Sequence, residues 1–342
     1  MRGFVTAPPA QGRDATTKLS AVAPCYNEAA VLVEFHRRMS AACASVTDDY
    51  EIVLVNDGSS DGSWPVLLSL AAQDPHVVAI NLSRNHGQPL ALTAGLAYCR
   101  GERILIVDAD LQDPPEFLPE MMALCGRGAD IVYGKRRSRA GESIFKRLTA
   151  FLFYRVLNLF TDQHIPEDTG DFRLITRRVL DVLNSMPENH RFVRGMISWV
   201  GFQQVPFLYD RSPRFAGKTK YALGKMSRFA LDAITSFSVR PLRLAFYAGG
   251  ILCLFSILLL AYSIGAYFVD RTIRGWTSIM AVMLFFLAAQ FLVLGLIGEY
   301  VGRLYIEAKH RPLFIVEDVV GGGRPVSRSA APDSGIQAGH ER

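Results

Sequence analysis

Val107-Asp108-Ala109-Asp110-Leu111-Gln112-Asp113 is the stretch on which the reading of this chain turns. An apolar run from Arg103 to Val107 ends abruptly in carboxylates, the pattern of a buried strand reaching the edge of its sheet. Two carboxylates and the Gln112 amide oxygen offer hard oxygen ligands, suited to Mg²⁺ or Mn²⁺. Acidic turns also start many solvated helices, so the surroundings have to decide.

Outward from this stretch, Leu19 to Ala23, Glu51 to Val55, Val77 to Leu82 and Asp130 to Tyr133 read as further strands, each separated from the next by a helical stretch. The alternation predicts an α/β domain over 19–213 with a mostly parallel, Rossmann-like sheet. Asn27 is placed to cap a helix from Ala29 to Ala44, Asp61 the helix after the second strand, and Asp113 with Pro114 the one after the fourth. Ligand residues of such sheets lie just beyond the strand C-termini.

Those places hold Pro24-Cys25-Tyr26-Asn27-Glu28, Asn56-Asp57-Gly58-Ser59-Ser60-Asp61 and Asn85-His86-Gly87-Gln88-Pro89. An aromatic ring, an amide and carboxylates there suit stacking on a base and hydrogen bonding to its edge and ribose. Gly58 would allow close backbone approach, and Gly87 with the following helix start would face a diphosphate. Ordinary turn and cap chemistry accounts equally for Asn56 to Asp61, and His86 is as readily a local cap as a ligand.

The 342 residues exceed one typical domain. A hydrophobic share of 50% and a mean hydropathy of +0.18 are high for a soluble chain, while 20% charged residues is too many for a bundle of membrane spans. The apolar excess is local. Leu244 to Val269 carries no charge and, at about 1.5 Å per residue, covers a hydrocarbon core of about 30 Å. A second apolar run extends from Trp276 to about 298, with Asp270, Arg271 and Arg274 in the link. The two predict a transmembrane hairpin over 244–300.

Arg214, Lys218, Lys220, Lys225, Arg228, Arg240 and Arg243 precede the hairpin, and Arg303, Lys309 and Arg311 follow it. The positive-inside rule then puts the first domain and both termini in the cytoplasm, in a multi-pass chain. A net charge of +5 suits anionic lipid as readily as nucleic acid; with basic residues flanking the hairpin, membrane is the expected partner and nucleic acid is not. Ile144 to Phe160 and Tyr221 to Ser238, within a juxtamembrane region assigned to 214–243 for the latter, have apolar residues at helical spacing; each fits a helix in the headgroup plane or one facing the core.

The five cysteines show neither a C-x-x-C pair nor metal-type spacing, as expected of reduced, buried thiols. Residues 1–18 lack the apolar region of a signal peptide and read as a loose tail; 321–342, rich in Gly, Ser, Ala and Pro, read likewise. Between them, 301–320 is a cytoplasmic return segment. Gly217-Lys218-Thr219 imitates the end of a phosphate-binding P-loop, but Ser212 and Pro213 stand where that motif needs glycine and a flexible loop.

With these motifs in order, the chain resembles glycosyltransferase family 2 enzymes of GT-A fold, specifically the polyprenyl-phosphate glycosyltransferases, which include bactoprenol glucosyltransferases and dolichol-phosphate mannose synthases. The likeness rests on Tyr26-Asn27-Glu28, Asp57-Gly58-Ser59, Asp108-Ala109-Asp110-Leu111-Gln112, Asp168-Thr169-Gly170-Asp171-Phe172-Arg173-Leu174, Phe215-Ala216-Gly217-Lys218-Thr219-Lys220-Tyr221 and Gly298-Glu299-Tyr300-Val301-Gly302-Arg303.

The resemblance implies a UDP-sugar donor, glucose before GDP-mannose or a modified arabinose, and an undecaprenyl or other polyprenyl phosphate acceptor. Pro24, Tyr26, Glu28, Asp57, Gly87 and Asp108 would line the donor site, joined by Arg194 and Lys218 at the diphosphate. Asp110, Gln112 and Asp108 would hold Mg²⁺ or Mn²⁺. Arg136 and Arg147 would grip the acceptor phosphate, guanidinium forks being matched to its oxygens. Asp108, Asp110, Asp168 and Asp171 form the expected catalytic set; the plainer reading of Asp168 and Asp171 is a tight turn with Asp171 paired to Arg173. Relatives assemble as homo-oligomers, tetramers among them, and the Gly295 and Gly298 face would permit close helix packing. A non-catalytic membrane scaffold with a vestigial site is the reading of another class.

Overall fold

The structure, a computed structural model, describes residues 17–137, 169–189, 191–210, 276–322 and, between 242 and 262, residues 242, 245–247, 249–252, 254, 255, 257, 258 and 262. These fall into two compact units. The first holds the sheet and the segment from Pro312 onward; the second holds the helical residues from 242 to 311.

Eight strands form one sheet: β1 (Thr17–Cys25), β2 (Tyr50–Asn56), β3 (Val77–Leu82), β4 (Gly101–Ile106), β5 (Ile131–Arg136), β6 (Thr169–Thr176), β7 (Gln204–Tyr209) and β8 (Val316–Gly321), in the order β7-β5-β6-β4-β1-β2-β3-β8. β1 pairs in parallel with β2 and β4, and β2 with β3. These central strands are covered on both faces, which is why β2 is buried almost end to end and reads as a continuous apolar run.

On one face the side chains of Leu19, Ala21 and Ala23 meet α1 (Ala29–Ala44), α2 (Ser63–Gln73) and α4 (Leu118–Gly126) through Phe35, Met39, Leu67 and Met121. On the other lies α3 (Gln88–Tyr98), so close that a Cβ on Gly95 would stand 2.4 Å from Val22 and 3.0 Å from Val55. α5 (Arg177–Ser185) packs beside α3, and α6 (Val193–Val200) beside α5.

Two strands run against the rest. β6 is antiparallel to β4 and β5, with Arg173 opposite Ile106 and Tyr133, so β6 begins at the edge where the parallel strands end. β8 is antiparallel to β3, with Val316 opposite Leu82. The sequence reading placed five strands and missed β6, β7 and β8. β6 carries Gly170, Asp171 and Arg173, which mask its apolar alternation; β7 contains Pro206, tolerated because β7 is an edge strand. β8 lies beyond the apolar segments, inside what reads as the return segment.

A cap also differs from expectation. Asn27 does not cap α1: its backbone is left-handed, with φ 55°, and its side-chain oxygen accepts from Ser60 N at 2.8 Å. Asp61 serves two helix starts, accepting from Ser63 N at 3.0 Å and from Ala29 N at 3.1 Å.

In the second unit α7 (Trp276–Ala308) continues past the expected end of its apolar run near 298, and Arg303 donates to Glu299 at 3.0 Å on that last stretch. Among the described residues one helix is long and apolar enough to cross a membrane, within 285–308, with mean hydropathy 1.7. The described positions of the first apolar run are helical, and Phe255 meets Phe286 with ring centroids 6.2 Å apart. Midway between those two in sequence lie Asp270 and Arg271 of the charged link. The amphipathic segments 144–160 and 221–238 lie outside the described residues, as do 1–16 and 323–342 of the two tails; Thr17 and Lys18, read as tail, instead begin β1, and Gly321 ends β8.

Candidate functional site

The parallel strands deliver their C-terminal loops to one edge of the sheet, and the reversed β6 brings Gly170 and Asp171 to the same edge. Its left side, built on β1, β2 and β3, is a set of loops tied to one another. Ser59 and Ser63 accept from the backbone N–H groups of Asn27 and Glu28 at 3.0 Å each. Asn56 donates to Asn81 at 2.7 Å, and Asn81 to Glu317 of β8 at 3.0 Å.

Asp57 is buried, and its carboxylate oxygens accept from His86 N at 2.7 Å and Gly87 N at 3.0 Å. Burial raises its pKa above the ordinary carboxylate value, while these two N–H groups pull it back. Gly58, at φ 62°, has no room for a side chain: a Cβ would lie 2.5 Å from Asn85 N. Its glycine thus admits the neighbouring loop rather than a ligand. His86 Nε2 is buried without a hydrogen-bond partner in the structure, and burial with nearby Arg84 lowers the ring's pKa, keeping it neutral. Tyr26 is exposed at the rim, with Pro24 half-buried and Glu28 partly buried behind it.

The right side, built on β4 and β6, is acidic. Burial, then the carboxylates of Asp171, Asp113 and Asp110, push Asp108 up to about 7, while the charge of Arg194 pulls the other way. Gln88, the first residue of α3, donates to Asp108 Oδ1 at 2.7 Å. Asp110 is buried and accepts from Gln112 N at 3.1 Å across Leu111, whose φ is 58°. Asp113 is buried too, and accepts from the hydroxyl of Tyr209 at 2.6 Å. Where the turn reading pairs Asp171 with Arg173, the described contact of Asp171 is with Arg194. The contact is two-pronged, Nε to Oδ1 at 2.5 Å and Nη2 to Oδ2 at 2.9 Å.

The expected residues therefore divide. Asp108, Asp110, Asp171 and Arg194 are neighbours; Asp57 and Gly87 are bonded to each other on the left. Arg136 ends β5 opposite Tyr209, at the same edge, its side chain outside the described residues. Asp168, Arg147 and Lys218 lie outside them altogether. Gln88 and Tyr209 were missed. The first follows directly on Gly87 at a strand-end loop, and the second closes the alternation Val205, Phe207, Tyr209, so both had a positional signal.

Among the described residues no three carboxylate, imidazole or thiol groups converge closely enough to hold a cation by themselves. The donor set nonetheless fits a hard divalent ion: burial and the neighbouring carboxylates together disfavour charge on Asp108, and a cation with further oxygens from a phosphate would relieve that.

Comparison with known proteins agrees with this layout. Residues 20–183 match the Glycosyl transferase family 2 model, and residues 240–304 match the GtrB C-terminal hairpin. An uncharacterized glycosyltransferase, YkcC of Bacillus subtilis, is 46% identical over 88% of this chain and 94% of its own length. The bactoprenol glucosyl transferase of Shigella phage SfV is 38% identical over 88% and 98%, and the prophage bactoprenol glucosyl transferase homolog of Escherichia coli K12 is 38% identical over 88% and 99%.

Proposed function

Because the chain belongs to glycosyl transferase family 2, we propose that it transfers glucose from UDP-glucose to undecaprenyl phosphate at the bacterial inner membrane. The observation that carries this reading is the meeting of Asp108, Asp110 and Asp171 with Arg194 at the strand ends, in a chain whose relatives of near-full-length similarity include bactoprenol glucosyl transferases.

An oxygen of the lipid phosphate attacks the anomeric carbon from the face opposite the nucleotide. The bond between that carbon and the β-phosphate oxygen breaks, its electron pair leaves with UDP, and the product is an inverted polyprenyl monophosphate sugar. The acceptor needs little help from a general base, since a phosphate monoester with a second pKa of about 6 is already mostly dianionic at neutral pH.

The tied β1, β2 and β3 loops, with Pro24, Tyr26, Glu28, Asp57 and Gly87, receive the nucleoside. Asp110 and Gln112, with Asp108, hold Mg²⁺ or Mn²⁺, which when bound neutralises charge on the diphosphate. Asp168 and Asp171 attend the sugar, Arg194 and Lys218 the diphosphate, and Arg136 and Arg147 the acceptor phosphate. The apolar run before the charged link and α7 form a two-helix membrane hairpin with both ends cytoplasmic; the hairpin match and the Phe255–Phe286 contact support this. It keeps the enzyme on the surface from which lipid phosphates are drawn, raising their effective concentration.

The test is direct: purified protein with radiolabelled UDP-glucose or GDP-mannose and a short polyprenyl phosphate, with and without Mn²⁺. Metal-dependent transfer of glucose to the lipid is expected. Transfer from GDP-mannose alone would change the sugar, and transfer from neither would leave the non-catalytic scaffold.

A further inference from the structure

The geometry points to an exchange of partners at Arg194: Asp171 holds its guanidinium while no donor is bound, and the donor's diphosphate takes it over. This rests on the donor assignment above and deepens it. Both prongs of the Arg194 fork lie on Asp171, at 2.5 and 2.9 Å, so a phosphate that is to take the fork has to displace a carboxylate. The charge of Arg194 is nevertheless felt at Asp108, as is that of Asp171, which places the pair inside the acidic edge.

A diphosphate cannot enter beside Asp108, Asp110, Asp113 and Asp171 without positive charge to meet it. A guanidinium fork matches carboxylate and phosphate oxygens equally well, so trading one anion for the other keeps two hydrogen bonds and changes only the partner. The pair is neither locked nor loose: the side chains are 29% exposed for Arg194 and 18% for Asp171, enough contact with water for the bonds to be replaced stepwise. Arg194 stands at the second residue of α6 and Asp171 near the start of β6, so one can move without the other. Exchange also has a consequence for the sugar. It frees the Asp171 carboxylate for a donor hydroxyl only when a diphosphate is present, so Asp171 competes with the donor before it serves it.

Competition of this kind lowers apparent affinity by the fraction of Arg194 that is free, so removing Asp171 should tighten UDP binding by about five- to tenfold. Deleting a carboxylate near any anion also helps through the general field, and a double-mutant cycle separates the two effects. The full-length protein in detergent, at fixed saturating Mg²⁺, is titrated calorimetrically with UDP and with uridine. The arms are the parent, Asp171→Asn, Arg194→Gln and the double variant.

Asp171→Asn is expected to tighten UDP by that factor when Arg194 is present and by less than about twofold when Arg194 is Gln, with uridine unchanged throughout. An equal gain in both backgrounds, or weaker UDP binding in Asp171→Asn, overturns the exchange. Uridine binding reports folding. Should Asp171→Asn lose it, Arg194→Lys decides instead: a UDP-to-uridine affinity ratio about tenfold lower is expected for an ammonium in place of the fork, and an unchanged ratio overturns the exchange. A parent chain that binds neither UDP nor uridine sinks the donor assignment, and with it the exchange.

Discussion

The two edges of the sheet treat carboxylates in opposite ways. At the N-terminal edge Glu51 accepts from Ser20 Oγ at 2.7 Å and Arg100 N at 2.5 Å, tying β1 and β2 to the start of β4. Asp130, just before β5, takes both prongs of Arg178, with Nε at 2.6 Å, and also accepts from Gln203 N at 3.3 Å. At the C-terminal edge Asp108, Asp110, Asp113 and Asp171 crowd together, and burial with their repulsion raises the pKa of Asp108. One edge uses its acids to hold strands in place, and the other stores repulsion that a cation and a phosphate-bearing ligand would relieve. Local strain of this kind is expected where a ligand, rather than the fold, completes the bonding.

The largest effect that follows is at Asp110. Asp110→Ala should lower transfer of glucose from UDP-glucose to polyprenyl phosphate by about a thousandfold, the scale of losing a principal electrostatic stabiliser, while leaving the melting temperature near the parent's. An unimpaired rate would show that the acidic edge does not bear on the chemistry.

The opposite edge should show the opposite signature. Asp130→Ala removes the acceptor for Arg178 and for Gln203 N and should cost about 1 kcal/mol of stability in denaturant unfolding, Arg178 being largely exposed, with kcat close to the parent's after correction for folded fraction. Its pH dependence follows from the sign of the shift. The Arg178 hydrogen bonds hold Asp130 below the usual carboxylate value, so its contribution is present above about pH 4 and is lost as pH falls through its folded pKa. Removing it should therefore flatten the acid limb of the stability profile.

Asp108 reverses that sign. Its folded pKa of about 7 lies above the unfolded value, so its contribution is whole below about pH 4 and fades as pH rises through about 7. Asp108→Asn should consequently gain about 2 kcal/mol relative to the parent between pH 5 and 7, measured without divalent metal, while losing transferase activity. Parallel stability profiles for parent and variant would remove the contrast between the edges.

What the sequence disclosed follows the same division. β1 to β4 are covered on both faces, so their residues form unbroken apolar runs, and the ligand edge follows once those runs are ordered as a parallel sheet. Side-chain partnerships across long separations left no such trace. Arg173 lies two residues from Asp171 and looks like its partner, but it sits deeper in β6, opposite Ile106 and Tyr133, and is buried. Arg194 arrives from a helix whose packing no local pattern encodes. Tyr209 reaches Asp113 from the outermost strand of the sheet, and β8 joins β3 only after the chain has passed through its apolar helices.

Gln88 gives the smallest effect and tests the boundary between the tied loops and the acidic edge. Asp57 fixes the N–H groups of His86 and Gly87, Gly87 starts α3, and the next side chain, Gln88, holds Asp108. A rigid loop thereby positions one carboxylate of a crowded set. Gln88→Ala should lose a single charge-assisted bond and lower kcat by about tenfold, with little change in the donor KM, because binding and orientation separate when the group lost touches only the positioning of Asp108. Gln88→Glu keeps the length but adds a fifth carboxylate and should fall further, by like-charge repulsion at Asp108. Equal rates for the two variants would mean that Gln88 acts through packing alone, and that the crowding of the acidic edge stops short of α3.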